Sequence, residues 1–221
     1  MIPLYDTIRS RRFPLVNWLL ILANAAVFWF ELQLNETTLR DFIFTWGLIP
    51  TQLMSDPQDA WPTIFTSMFL HGGWFHLLSN MWVLYIFGDN IEDRVGGARY
   101  LLFYLLSGAA AAFLQIFITH DSSDPMIGAS GAIAGVLGAY LISYPGARIA
   151  SLVPILFIFT IVDVPAVLFL IFWFISQLYS GLFAIQGGSA SGIAWWAHIG
   201  GFIFGLIMVS FFGRRTAYQS Y

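Results

Sequence analysis

Apolar residues occur in long runs along this 221-residue chain, and short polar segments separate the runs. Six of the runs approach or reach the ~20 residues that a helix needs to cross a bilayer. They lie at 13–32, 74–89, 99–119, 130–144, 165–183 and 193–212. The pattern predicts an all-α membrane protein, a polytopic bundle of six transmembrane helices.

Two stretches do not fit the simple alternation of spans and loops. Segment 33–73 is polar and rich in aromatics, including Trp46 and Trp61, and such rings collect at the membrane interface. We expect it to form a membrane-associated loop between the first and second spans. Segment 149–162 is apolar but short, and Pro154 interrupts it. We interpret it as a membrane-dipping connection rather than a seventh span.

The arginines predict the topology. All nine basic residues are arginine, and with six spans all of them except Arg40 lie on the side of the termini. The positive-inside rule places that side in the cytoplasm. We therefore expect one domain over 1–221, with a cytoplasmic N-terminal segment at 1–12 and a cytoplasmic tail at 213–221. The run 13–32 continues without a cleavage-site break, so it is interpreted as a retained span rather than a signal peptide.

Composition excludes some classes of function. The formal net charge is only −3, and 10% of the residues are charged, which argues against a nucleic-acid partner. The chain has no cysteine, so disulfides and thiolate chemistry are excluded.

The polar residues inside the predicted spans fall at one depth. The second, fourth and sixth spans all begin on the outer side. His76 and Asn80 lie in the first turns of the second, Ser130 opens the fourth, and His198 lies early in the sixth. Polar groups within a bilayer are costly and usually line a cavity or a functional site. Their common depth predicts one outward-facing site.

Small residues indicate how the fourth and sixth spans meet. The fourth span contains Gly131 and Gly135, and the sixth contains Gly201 and Gly205. Glycines four residues apart let helix backbones approach closely. Such an approach would bring Ser130 within reach of His198.

These residue types suggest nucleophilic acyl transfer. A serine hydroxyl becomes a good nucleophile when a neighbouring imidazole takes its proton, and the oxyanion that follows needs fixed donors. His76, Asn80 and the backbone N–H of Ser130 could supply these donors. No acid lies at the same depth to orient His198, so we expect a Ser-His dyad. Gly128 and Gly131 fit a tight backbone around Ser130.

Each residue also has a purely structural interpretation. Ser130 could be a helix cap, His198 a packing residue, and Asn80 an interhelical hydrogen-bonding group. We expect no metal or other cofactor, because the histidines lack the i,i+4 pair and glutamate of a zinc protease helix.

The ordered motifs resemble those of the rhomboid family of intramembrane serine proteases. They lie at 71–80, 88–96, 128–135 and 197–201, with Gly205 beyond. The resemblance implies a six-helix bundle that cleaves transmembrane protein substrates near their outer end. It implies Ser130 as nucleophile, His198 as base, and His76 and Asn80 as oxyanion donors.

The resemblance also assigns supporting roles. It implies that Glu92 and Arg94 are structural, and that the fifth span, with Trp173, forms a lateral substrate gate. Many members carry an aromatic residue one turn after the nucleophile, where this chain has Ala134. The sequence does not say how His198 is held instead. Trp61-Pro62 stands where some members have a Trp-Arg pair.

Two other classes of function remain open at this point. One is a catalytically inactive rhomboid-like protein that binds transmembrane clients, and the other is a small transporter. Retention of both serine and histidine favours the protease. We expect a multi-pass protein of a bacterial inner membrane, with both termini cytoplasmic and the site open to the outer side.

Overall fold

A computed structural model describes residues 1–155, 158–185 and 192–213. In order, the described elements are β1 (Ile2–Asp6), α1 (Leu15–Glu31), α2 (Glu36–Trp46), α3 (Pro50–Ser55), α4 (Pro57–Ala60), α5 (Thr63–Thr66), a 3-10 turn (Ser67–Phe69), α6 (Trp74–Val95), α7 (Gly97–Ile118), α8 (Ser130–Ser143), β2 (Arg148–Ile155), β3 (Ile158–Pro165), α9 (Ala166–Ile185) and α10 (Trp195–Phe212). The predicted tail lies outside the described residues from 214 onward.

Each of the six predicted spans corresponds to one helix: α1, α6, α7, α8, α9 and α10. Within the described ranges, three helices are long and apolar enough to cross a membrane, namely α7, α9 and α10. Helices α1 and α8 are apolar but shorter. The largely helical membrane fold is confirmed, and the count of six spans stays a prediction.

Helix α6 is longer than the predicted span 74–89. It continues to Val95 and ends at Gly96, whose φ of 90° turns the chain directly into α7. Ile91 and Val95 are fully buried, so the last turns pack inside the protein. Glu92 in these turns is buried as well, although acidic side chains are mostly exposed in proteins.

A three-stranded antiparallel sheet corrects the prediction of an all-α fold, and it includes most of the connection at 149–162. The position of this connection relative to the membrane stays a prediction. Strand β2 lies in the middle and pairs with β1 on one side and β3 on the other. Ile149, Ala150 and Ser151 of β2 are buried. The apolar stretch thus folds back as a hairpin, which satisfies its backbone groups without a helix.

The N-terminal segment 1–12 was predicted only as a cytoplasmic extension, yet it supplies strand β1. Its Asp6 carboxylate accepts hydrogen bonds from Tyr140 of α8 and from Asn90 of α6. Burial, with Asp89 nearby, raises the pKa of Asp6 to about 6. The segment is therefore tied to two core helices.

Helix α8 lies at the centre of the bundle. Its residues from Gly131 to Tyr140 are all buried, and α10 packs along it. A Cβ on Gly201 would overlap the carbonyl oxygen of Gly131, and one on Gly205 would overlap that of Gly135. Only glycine permits this approach, which fixes the two helices against each other.

The connection between α1 and α6 is built from short helices rather than an irregular loop. Asn35 caps α2 by accepting from the Thr38 N–H. At the end of the connection, the backbone N–H of His71 donates to the Glu31 carboxylate of α1. The connection thus ends beside the first turn of α6.

Candidate active site

Ser130 and His198 meet between α8 and α10. The Nε2 atom of His198 lies 2.8 Å from Oγ of Ser130. The contact follows from the glycine-mediated packing of the two helices, since both residues lie near their N-terminal ends. The hydroxyl can therefore donate to an imidazole nitrogen that is positioned to take its proton.

Gln177 of α9 binds the other side of the imidazole. Its Oε1 lies 2.8 Å from Nδ1 of His198, and the side chain is only 7% exposed. An amide oxygen can only accept, so Nδ1 carries the proton and Nε2 is left with a free lone pair. This residue was not among the predicted site residues, because only an acid was considered as a partner for the imidazole.

A further pair of hydrogen bonds fixes the orientation of the Gln177 amide. Its Nε2 donates to Oγ of Ser176 at 2.9 Å and to the carbonyl oxygen of Trp173 at 3.3 Å. The Ser176 hydroxyl donates to the same carbonyl. Turning the amide over would place its oxygen against the Trp173 carbonyl oxygen, so the NH₂ faces that carbonyl and the amide oxygen faces His198.

Aromatic rings flank the imidazole. The ring of Trp173 lies 6.1 Å from that of His198, and the ring of Trp195 lies 6.0 Å away, edge to face. Trp173 also packs on Phe202. Ala134, which lies one turn after Ser130 on α8, is fully buried and offers no ring to the imidazole. His198 is thus held by α9 and by its own helix.

His76 and Asn80 both reach the backbone just before Ser130. A Cβ on Gly128 would lie 2.6 Å from Nε2 of His76 and 3.7 Å from Nδ2 of Asn80. Gly128 also has a φ of 118°, which favours glycine. The predicted glycine requirement at this position has both a conformational and a steric cause.

Hydrogen bonds leave donors free beside Ser130. Nδ1 of His76 accepts from the Gly72 N–H at 3.4 Å, so its Nε2 carries the proton. Ser130 is the first residue of α8, and the first N–H groups of a helix have no partner within it. The Nε2–H group of His76 and the backbone N–H of Ser130 can therefore both donate to an anionic oxygen.

His71 orients Asn80, which the sequence analysis did not foresee. Its Nδ1 donates to the carbonyl of Phe69, and its Nε2 accepts from Nδ2 of Asn80 at 3.1 Å. Burial, with His76 nearby, lowers the pKa of His71 to about 4. His71 is therefore a neutral acceptor at physiological pH, and it leaves the second N–H of the Asn80 amide available.

Glu92 and Arg94 lie at the opposite end of α6, far from Ser130. The Glu92 carboxylate accepts from the N–H groups of Val16 and Asn17 at 3.1 and 2.7 Å. It thereby caps the start of α1, as expected for a structural residue. Arg94 is half-buried in the last turn of α6.

A small cavity opens beside Ser130. Mostly apolar residues line it, including Met68, Met126, Ala194 and Ala197. The cavity adjoins the Ser130 hydroxyl, and no charged residue is among those that line it. In the part of the chain that the structure describes, no three or more His, Cys, Asp or Glu side chains are grouped so as to hold a metal ion.

Comparison with known proteins identifies the family. The model of the Rhomboid domain matches residues 58–215. The chain is 34% identical over 134 residues to YdcA of Bacillus subtilis (strain 168), a protein named as a candidate rhomboid protease; the match covers 59% of this chain and 63% of that protein. It is 33% identical over 129 residues to the rhomboid protease GluP of the same organism, covering 58% and 24%.

A plant relative gives the same result. The mitochondrial RHOMBOID-like protein 6 of Arabidopsis thaliana is 36% identical over 95 residues, which are 43% of this chain and 30% of that protein. The matches span less than two thirds of the length of these relatives. Because the domain match covers most of the sequence, the chain belongs to the rhomboid family.

Proposed function

We propose that this protein is an intramembrane serine endopeptidase that uses Ser130 and His198 as a catalytic dyad. The observation that carries the proposal is the 2.8 Å contact between Oγ of Ser130 and Nε2 of His198. It occurs in a chain whose relatives include named rhomboid proteases.

The proposed reaction proceeds through an acyl-enzyme. Oγ of Ser130 attacks the scissile carbonyl while His198 takes the hydroxyl proton. The tetrahedral intermediate collapses as the C–N bond breaks, and His198 returns the proton to the departing amine. Water then attacks the ester, again with His198 as base, and releases the acid and the free serine.

The oxyanion is stabilised by three donors in this proposal. They are the Ser130 backbone N–H, Nε2–H of His76 and the second N–H of the Asn80 amide. The His76 and Asn80 side chains lie beside Gly128, two residues before Ser130, where the His76 ring leaves no room for a Cβ. Fixed donors of this kind stabilise charge that develops in the transition state.

The length of α8 supports a site below the membrane surface. At 1.5 Å per residue, its 14 residues span about 21 Å, which is shorter than the ~30 Å of the hydrocarbon core. If α8 crosses from the cytoplasmic side, Ser130 lies in a recess that water enters from the outer side. We propose transmembrane proteins as substrates, entering laterally past α9 and Trp173.

The test combines covalent labelling with cleavage. A fluorophosphonate probe should label the wild-type protein in detergent, and Ser130→Ala should abolish the labelling. Cleavage of a model transmembrane substrate should require both Ser130 and His198. Undiminished cleavage by Ser130→Ala or His198→Ala would refute the dyad. Binding of substrate by a wild type that neither reacts nor cleaves would favour a client-binding rhomboid-like protein.

A further inference from the structure

We infer that Gln177 is a positioning residue for His198, so that the dyad operates as a Ser-His-Gln triad whose third member is carried by α9. The inference rests on the proposed function and deepens it. Its basis is the continuous chain of hydrogen bonds from Ser176 through Gln177 and His198 to Ser130.

The direction of every hydrogen bond in this chain is determined. The Trp173 carbonyl can only accept, so Ser176 donates to it and is left to accept from Nε2 of Gln177. Oε1 of Gln177 then accepts from Nδ1 of His198. Because one end of the chain is a backbone acceptor, Nε2 of the imidazole is the atom left to receive the Ser130 proton.

A neutral amide suits this environment better than a carboxylate. Gln177 is buried on an apolar helix, where an ionised acid would require costly desolvation. Glutamine still fixes the tautomer and the plane of the ring, although it cannot neutralise an imidazolium. Among the described residues, the titratable group that acts on His198 from another helix is His76 of α6, and the neutral Gln177 binds it from α9. The neutral Gln115 of α7 accepts from the N–H of the neighbouring Ala197.

The position of Gln177 links catalysis to the packing of α9. Over its most apolar 18 residues, α9 has only 22% of its residues buried inside the protein. The corresponding share is 44% in both α7 and α10. Ser130 and His198 lie on α8 and α10, which pack closely through their glycines, whereas the acceptor for Nδ1 lies on the more exposed α9. A displacement of α9 would break the contact with His198 and leave the other two residues in place.

The test compares two substitutions of Gln177 with a matched control. Gln177→Met keeps the volume but removes the acceptor, and it should lower kcat about 10- to 100-fold with little change in KM. Gln177→Glu restores an acceptor and should recover most of the rate. It should also move the acidic limb of the kcat/KM profile to higher pH, because a carboxylate favours the protonated imidazole.

Gln33 supplies the control. Its Nε2 donates to the carbonyl four residues earlier, as that of Gln177 does, but the side chain is exposed just beyond the C-terminal end of α1. Gln33→Met should retain full activity. A wild-type rate in Gln177→Met would overturn the inference. If that variant unfolds, the tautomer of His198 in the wild type still decides the inference.

A spectroscopic measurement separates this inference from the proposed function. In protein labelled with ¹⁵N-histidine, the imidazole signals that disappear in His198→Ala belong to His198. They should report a proton on Nδ1 in the wild type and loss of this fixed tautomer in Gln177→Met. If the wild type cleaves nothing, the proposed function fails while this measurement still tests the hydrogen bond. A mobile or Nε2-protonated ring in the wild type would refute it.

Discussion

Two buried groups of polar residues lie at opposite ends of α6 and α8, and they are built differently. The serine cluster comprises Ser130, His198, Gln177, His76 and Asn80. The carboxylate cluster comprises Asp6, Asn17, Asn90, Glu92, Tyr100 and Tyr140. In the carboxylate cluster, acids accept from several donors on other segments, for example Glu92 from two N–H groups of α1. In the serine cluster the interacting side chains are uncharged or imidazole, and N–H donors remain available.

The difference separates stability from reactivity. Pairing the carboxylates with donors ties β1 and α1 to the core, so removing one partner leaves a buried group unsatisfied. The serine cluster instead keeps its free donors around one hydroxyl, which suits a site that binds an anion only transiently. We therefore expect substitutions in the serine cluster to affect rate, and those in the carboxylate cluster to affect the free energy of unfolding.

Apart from the dyad itself, the largest effect is expected for Asn80→Ala in the serine cluster. Loss of one oxyanion donor should lower kcat roughly 10²–10³-fold, while KM changes little. Kinetics on a model transmembrane substrate measure this. Ser79→Ala, a neighbour that bonds only to the backbone of its own helix, should be near wild type. An unchanged kcat in Asn80→Ala would reassign Asn80 to packing.

Glu92→Ala should show the opposite behaviour. It leaves the N–H groups of Val16 and Asn17 without their acceptor and should lower the free energy of unfolding by about 3 kcal/mol. Activity per folded molecule should persist. Denaturant unfolding in detergent with parallel kinetics measures both. Asp93→Ala, whose partner is an exposed N–H, should cost far less.

Asp6→Asn should change the pH dependence of stability. The pKa of Asp6 is raised to about 6 by burial, so the folded state retains a proton that the unfolded state releases above its ordinary pKa of 3.8. Stability from this group is present below about pH 4 and is lost as the pH rises to 6. The asparagine variant should lose less stability between pH 4 and 7, by at most about 2 kcal/mol.

Unfolding measured across this pH range, with Asp41→Asn as an exposed-carboxylate control, checks the expectation for Asp6. Parallel pH curves for wild type and Asp6→Asn would show that the carboxyl is not responsible.

The smallest effect is expected for Tyr100→Phe. The Tyr100 hydroxyl donates to Oδ1 of Asn17 at 2.8 Å, and its removal leaves this buried oxygen without that donor, which costs at least about 1 kcal/mol. The melting temperature should fall slightly and kcat should not change. Tyr85→Phe, on an exposed ring, provides the comparison. A loss of rate in Tyr100→Phe would mean that the two clusters are coupled.

Much of this architecture could be predicted from local sequence. The helical segments follow from apolar runs, and the contact between Ser130 and His198 follows from depth and from glycine spacing, since both are properties of single helices. The catalytic roles of these residues stay predictions. Gln177 could also have been found, because an amide within the apolar fifth span meets the same criterion of a polar group at matching depth.

Other features depend on contacts between distant segments and left no local signal. Strand β1 becomes a strand only because β2 is there to pair with it, about 145 residues later in the chain. The role of His71 depends on the 3-10 turn that places the Phe69 carbonyl beside its ring. The buried end of α6 was misjudged because Glu92 finds its partners on α1.

The pairing of β1 with β2 has a consequence for the order in which the protein assembles. Strand β1 precedes α1, whereas β2 follows α8, so four of the bundle's helices are synthesised before β1 can find its partner. Closing so long a loop is slow, because the chain loses conformational entropy before the stabilising contacts between the strands can form. We therefore expect the N-terminal strand to attach late, after the helices have inserted. The hydrogen bond from Tyr140 to Asp6 then stabilises the attached strand.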